Sequence, residues 1–391
     1  MSKRNETTPN VPTLRFKQFQ DKWSSKRLSD IAEVVGGGTP DTTDSTLWNG
    51  GIQWFTPTEV GHSKYVSMSA RTISQLGLQK SSAKILPAGS ILLSSRATVG
   101  ECSITQKDCT TNQGFQNLIP KKGINNEFLY YLAQTQKRHF IKYASGSTFL
   151  EISNSEIKKT KCAIPSIEEQ TEIATFLSAI DRKIEVQNKI ISDLKVLKKE
   201  LCNKVFGKGS AVRLGDFIEE VTTRNKSNNC ENVLSVSNKM GFIKQSEQFE
   251  DRTVASENKS NYKVVTEGCF AYNPARINVG SIALLSTYKI GIISPMYVCF
   301  KTKSALDSEY LNFYYQSGFF YKELQKKLEG SVRQCLTYEN MSEILIPYVG
   351  IEKQKAIATA LNKFATLIAN EEKYLKSLQK QKSYFLSAMF I

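Results

Sequence analysis

Histidine is nearly missing from this 391-residue chain: there are two, His62 and His139. Nucleophile–base pairs and histidine-rich metal sites are therefore unpromising. The eight cysteines, at 102, 109, 162, 202, 230, 269, 299 and 335, include no CxxC pair. Scattered in this way, they read as reduced thiols of a cytoplasmic protein, with no zinc site expected. No stretch approaches 18 apolar residues, so no membrane span is expected, and the polar residues 1–10 lack the apolar core of a signal peptide. Phosphate-cradling and catalytic loops are also absent. Val35–Pro40 holds three consecutive glycines but no GxGxxG, and Lys208-Gly209-Ser210 lacks the upstream glycine of a P-loop. Asn273-Pro274-Ala275-Arg276 begins like an adenine-methylating tetrad, without its second proline and aromatic residue. Asp251, Glu257 and Lys259 resemble the end of a nuclease carboxylate–lysine cluster, yet sit in a polar stretch that reads as a solvated loop. The expectation is a chain with no catalytic residue, metal or cofactor of its own.

What is present is positive charge. The formal net charge is +15, the signature of a partner for a polyanion, with nucleic acid the first candidate. Residues 21–167 carry +6 and residues 208–350 carry +2, while 168–207 are balanced, like a helix face laced with opposite charges.

The chain also repeats itself. Gln170–Leu177 reads QTEIATFL, and 184 residues later Gln354–Leu361 reads QKAIATAL. "RATVG" from Arg96 answers "RINVG" from Arg276, Gly146-Ser147 answers Gly330-Ser331, and "EFLYYL" from Glu127 answers "EYLNFYY" from Glu309. Each half ends in an apolar heptad seam. The first runs through Ile173, Leu177, Ile180, Ile184, Ile191 and Leu194, with Gln187 and Lys198 filling two positions. The second runs through Ile357, Leu361, Phe364, Ile368, Leu375 and Leu378, with Glu371 and Lys382 in the corresponding places. These spacings predict two coiled-coil helices of about 57 Å each. The short links at Gly207–Ser210 and Tyr348–Glu352 imply that they run antiparallel, in a dumbbell with a pseudo-two-fold axis.

The fold class expected is therefore α+β: two repeated mixed α/β domains separated by two long antiparallel helices. The boundaries read as a tail over 1–20, a first domain over 21–167, a first helix over 168–207, a second domain over 208–350 and a second helix over 351–391. Strands are expected at Ile91–Ser95, Cys102–Thr105, Asn117–Pro120, Val233–Ser237, Cys269–Asn273, Ser281–Leu285 and Val298–Lys301, and helices at Glu127–Tyr143 and Ser308–Leu328. Tyr130, Tyr131, Tyr314 and Tyr315 have helical spacing and read as core.

Two domains, each followed by a matched helix opened by "IP…EQ…IA..L", resemble the specificity subunits of type I restriction–modification enzymes. "GGGTPDTTDSTLWNGGIQWFTPTEV" from Gly36, "ILLSSRATVG" from Ile91, "TNQGFQNLIP" from Thr111 and "LEGSVRQCLTYENM" from Leu328 carry the likeness, in order, over essentially the whole chain. The second half departs from it in lacking a "GGTP" loop. The resemblance implies two target recognition domains, each reading one half of a split site in double-stranded DNA. It also implies helices that set the spacing and dock two methyltransferase subunits, with restriction/translocase subunits outside. S-adenosylmethionine, ATP and Mg2+ would be used by those other subunits.

Base readout needs donors and acceptors on loops, with Arg and Lys on phosphates. In the first domain the candidates are Gly37, Gly38, Thr39, Ser94, Ser95, Arg96, Thr98, Asn112 and Gln113, with Lys84, Arg138 and Lys142 on phosphates. The glycines would let backbone approach the duplex. In the second they are Asn273, Arg276, Asn278, Arg333 and Gln334, with Lys322, Lys326 and Lys327 on phosphates. The rival readings are a coiled-coil scaffold that reads no sequence and a methyltransferase or nuclease with an unfamiliar motif.

Overall fold

A computed structural model describes residues 11–146, 150–238, 240–248, 259–328 and 334–391. The chain forms two compact units. One comprises residues up to Gln187 together with Tyr374–Ile391, and the other is Asn188–Lys373. Each unit thus holds one α/β domain and a part of each long helix.

In the first unit the main sheet has the order Ala32–Gly36, Gln116–Pro120, Ile91–Leu93, Cys102–Thr105, Tyr65–Val66. All its pairs are antiparallel except the last. In the second unit Ile218–Glu220, Val298–Thr302, Cys269–Tyr272 and Ile282–Leu284 repeat the first four positions, all antiparallel. The internal duplication is therefore a duplication of sheet topology. Each unit adds a further sheet, of which the alternation of apolar residues revealed the strand Val233–Ser237 alone. The strands are Arg71–Ile73, Trp48–Phe55 and Cys109–Thr111 in the first, and Gly241–Lys244, Val233–Ser237, Ile290–Ile293 and Lys263–Thr266 in the second.

The helices expected at Glu127–Tyr143 and Ser308–Leu328 are each broken in two. Asn126–Thr135 is followed by Lys137–Tyr143, and Ser308–Tyr315 by Gly318–Gln325. At the second break the Ser317 hydroxyl donates to the Tyr314 carbonyl at 2.6 Å and Ser317 itself is extended, which ends one helix and starts the next. Tyr130, Tyr131, Tyr314 and Tyr315 are buried.

The long helices are Ile167–Phe206 and Ile351–Ala388. Every seam position from Ile173 to Val205 and from Ile357 to Met389 is buried or half-buried. In the first unit Phe176 meets Phe385 edge-on at 4.9 Å, and Asp181 pairs with Lys382 at 2.8 Å. In the second Lys195 pairs with Glu372 at 2.7 Å, and Cys202 and Phe206 share a core with Ala358 and Leu361. In both units one helix advances as the other retreats, so they run antiparallel.

Each helix is sewn into its domain by one buried glutamine. Gln170 accepts from the Asn125 amide at 3.0 Å and donates to the Gly123 and Pro165 carbonyls. Gln354 accepts from the Asp307 amide at 2.8 Å and donates to the Ala305 and Val349 carbonyls. The first unit adds an ionic knot. Lys64 bonds Glu127, Tyr131 and Ser178, and Tyr131 donates to Asp181 at 2.6 Å. Burial lowers the Lys64 pKa, against the pull of Glu127 and Asp181. Burial also works to raise that of Glu127, yet hydrogen bonds from Ser178, Tyr65 and Lys64 hold it below the usual carboxylate range.

Candidate nucleic-acid interface

Three loops of the first unit meet at one edge. The loop after Ala32–Gly36 lies on Thr111 and Asn112, with the Gly38 amide donating to the Thr111 carbonyl at 2.8 Å. The Thr39 hydroxyl donates to the Gln113 side chain. The Ser95 amide donates to the Gly114 carbonyl at 2.8 Å, which joins the Arg96 loop to the same edge. Thr39, Arg96, Thr98, Asn112 and Gln113 are thereby brought together at exposed or half-exposed positions. Lys84, Arg138 and Lys142 are exposed.

Ser94 and Ser95 are a correction: both are fully buried. The strand ends at Leu93, and the Ser94 hydroxyl bonds the Arg96 carbonyl and the Thr98 hydroxyl, each at 3.0 Å. These serines shape the loop and present nothing at its surface.

The glycines also serve the chain itself. A Cβ on Gly37 would lie 1.9 Å from the Asn112 carbonyl oxygen, and one on Gly38 would lie 2.3 Å from the Ala83 amide nitrogen. Their bareness lets the loop pack between two other segments. Trp54 and Trp48 hold it from below by donating to the Gly38 and Asp41 carbonyls, both at 2.9 Å, and Arg71 lies 3.6 Å over the Trp48 ring. Gly37→Ala should therefore destabilise the first unit by about 2 kcal/mol through backbone overpacking. Thermal unfolding measures this; a variant as stable as the parent would mean the loop shifts freely.

The second unit builds its edge on the hairpin loop from Asn273 to Ser281. Asn273 is mostly buried, and its carboxamide oxygen accepts from the Ala275 amide at 3.1 Å. The tetrad-like sequence is thus a side-chain-stabilised turn, and Asn273 supports the loop that presents Arg276 and Asn278. Gln334 is exposed on the segment whose Leu336 amide donates to the Pro274 carbonyl at 3.2 Å. Lys322 is exposed. Lys326 and Lys327 are already paired with Glu323 and Glu343, each at 2.5 Å, which weakens both as phosphate contacts. Arg333, Gly330–Ser331, Ser147, Asp251 and Glu257 lie outside the described residues.

The two loops differ at their arginines. Arg96 faces Glu151 at 3.9 Å, with both side chains 46% exposed. Ile152 and Leu336 occupy matching places, each donating its amide to the loop after the preceding strand. Cys335 therefore stands where the first unit has Glu151. Among the described residues the Arg276 guanidinium has no acidic partner.

A family model described as the type I restriction modification DNA specificity domain matches residues 20–196 and 210–380. The chain belongs to that family. Each match takes in one of the two repeated domains and its loop edge. Over 188 residues, 47% of this chain, the sequence is 40% identical to the type I restriction enzyme MjaIX specificity subunit of Methanocaldococcus jannaschii, covering 44% of that protein. It is 27% identical over 175 residues to the EcoR124I/EcoR124II specificity subunit of Escherichia coli, covering 43% of each chain. These matches span less than half the length of those curated relatives. The putative MjaX specificity subunit of M. jannaschii is matched at 25% identity over 97% of this chain and 95% of that one. The S subunit of the type I restriction–modification system from M. genitalium shares the fold, with a TM-score of 0.61 at 14% identity over 97% of this chain and 99% of that one.

For this family member, three features of the interface escaped sequence reasoning. The Trp48–Trp54–Arg71 stack joins residues of no recognisable spacing. The Glu151–Cys335 difference was visible at the 184-residue offset, but its meaning depends on the segment lying beside the arginine loop. The third is an inversion within "RATVG" and "RINVG". Val99 is 5% exposed and its counterpart Val279 54%, while Ile277 is 1% exposed. Gly100 and Gly280 both adopt left-handed φ, at 86° and 88°.

Proposed function

We propose that this chain is the non-catalytic specificity subunit of a type I restriction–modification complex. It reads a bipartite, non-palindromic DNA sequence and directs adenine methylation or restriction by partner subunits. The observation that carries this reading is the recurrence of one sheet topology with an arginine-bearing loop, Arg96 in one unit and Arg276 in the other. Two readers of like build suit two half-sites, and their different arginine surroundings suit two different sequences. Two copies of one methyltransferase subunit would dock on the matched helices, with restriction/translocase subunits beyond them. S-adenosylmethionine, ATP and Mg2+ would be held by those partners and none by this chain. The complex would act in the cytoplasm, where its DNA lies; among the described residues no helix is long and apolar enough to cross a membrane.

The test is co-expression with cognate methyltransferase subunits followed by genome-wide mapping of methylated adenines. The expected result is two short specific blocks flanking a spacer of constant length and indifferent sequence. Methylation without sequence preference would favour the scaffold reading. Methylation by this chain without partners would favour an enzyme.

A further inference from the structure

The second unit contains a cavity of ≈ 400 Å³ beneath the Arg276 loop. Its buried lining mixes polar and apolar groups: Ser235 and Ser281 are each 5% exposed with Asn273 beside them, and Leu234 and Val236 are buried there as well. Its rim is different. Val279 and Met296 line the cavity and yet are 54% and 59% exposed, and Arg276 stands at the same rim.

Val279 departs from what the repeat would produce. The first unit buries Val99 at the position of Val279. The second turns Ile277 inward and leaves Val279 outside. Met296 comes from another turn, Ser294–Tyr297, closed by the Tyr297 amide on the Ser294 carbonyl at 3.1 Å. Two separate turns thus hold apolar side chains out in water beside a guanidinium with no acidic partner among the described residues. Exposed apolar groups clustered around a concavity mark a binding surface.

DNA offers one chemistry that fits both halves of this rim. Guanine presents two acceptors, N7 and O6, that match the guanidinium fork, and the thymine 5-methyl is the apolar group of the major groove. A phosphate contact would use the arginine and leave Val279 and Met296 without purpose. Resting on the function proposed above, we infer that this rim is the base-reading edge of the second unit. Arg276 takes a guanine, Val279 and Met296 enclose the methyl of a thymine in the same half-site, and Ser235, Ser281 and Asn273 hold bridging water.

The test uses the full chain in complex with its methyltransferase subunits and duplexes carrying the mapped target. Uracil replaces each thymine in turn, which deletes the methyl alone, and 7-deazaguanine replaces each guanine, which deletes N7. One uracil position in the half-site read by the second unit should weaken binding by the parent complex about fourfold, the value of burying one methyl group. The same uracil should leave binding by a Val279→Ala/Met296→Ala double variant unchanged. One 7-deazaguanine position should weaken binding by the parent about fivefold and leave that of Arg276→Ala unchanged. All three side chains are exposed, so their truncation spares the core, and an unaltered preference at the other half-site verifies that each variant is folded. The inference is overturned if that half-site lacks guanine or thymine, if every uracil is tolerated, or if the double variant stays sensitive to uracil. A parent complex that prefers no sequence at all would instead overturn the proposed function.

Discussion

Replacing Gln354 with alanine will lower the stability of the second unit by about 3 kcal/mol, and Gln170→Ala will do the same to the first. Gln354 is 0% exposed and Gln170 1%. Each amide satisfies one backbone N–H and two backbone carbonyls that link the loop before a short helix to the start of a long one. Truncation leaves all three without a partner, and each buried orphan costs about 1–3 kcal/mol before relaxation or water entry. For units of this size, a midpoint about 6–12 °C lower is expected. Differential scanning calorimetry of the complete chain measures it. A loss under about 1 kcal/mol would show that water replaces the amide and that the glutamine is dispensable.

Arg276→Ala will cost about 1–3 kcal/mol of binding, concentrated in one half-site, and Arg96→Ala will cost less and act on the other. The difference comes from Glu151. At 3.9 Å it partly neutralises Arg96 and competes with any DNA acceptor for the same guanidinium. The pair is half exposed, so releasing Arg96 requires at most about 1 kcal/mol. Two reciprocal changes sharpen the expectation. Glu151→Gln should tighten binding at the first half-site, and Cys335→Glu should weaken it at the second by placing an acid at the position that Glu151 holds in the first unit. Fluorescence anisotropy titrations at several salt concentrations, with each half-site scrambled in turn, read these effects. An arginine whose loss weakens binding equally to every sequence touches phosphate alone.

Much of the fold was legible because it rests on periodicity. The heptad seams, the break between halves and the strands Cys102–Thr105 and Val233–Ser237 follow from local patterns of apolar residues. The rest of the added sheets, and the last strand of the first unit's main sheet, were not legible. Tyr65–Val66 and Arg71–Ile73 are short, and Trp48–Phe55 contains two consecutive glycines, so none alternates long enough to be seen. Within the interface, Arg96, Thr98, Gln113, Arg276 and Asn278 could be found as polar residues following apolar strands. Ser94 and Ser95 follow the same rule and are buried, since the chain turns inward before it turns out.

By itself the sequence determined the two-fold repetition, the pair of long helices and the family, because these depend on residue order and spacing. Tertiary structure alone decided which of two like loops has no acidic partner for its arginine among the described residues, and which valine faces water. The first outcome depends on what a distant segment places beside the loop: Glu151 faces Arg96 in one unit, and Cys335 stands at the matching position in the other. Charge pairing and burial act through space over a few ångströms, so residue order does not show them until the chain has folded.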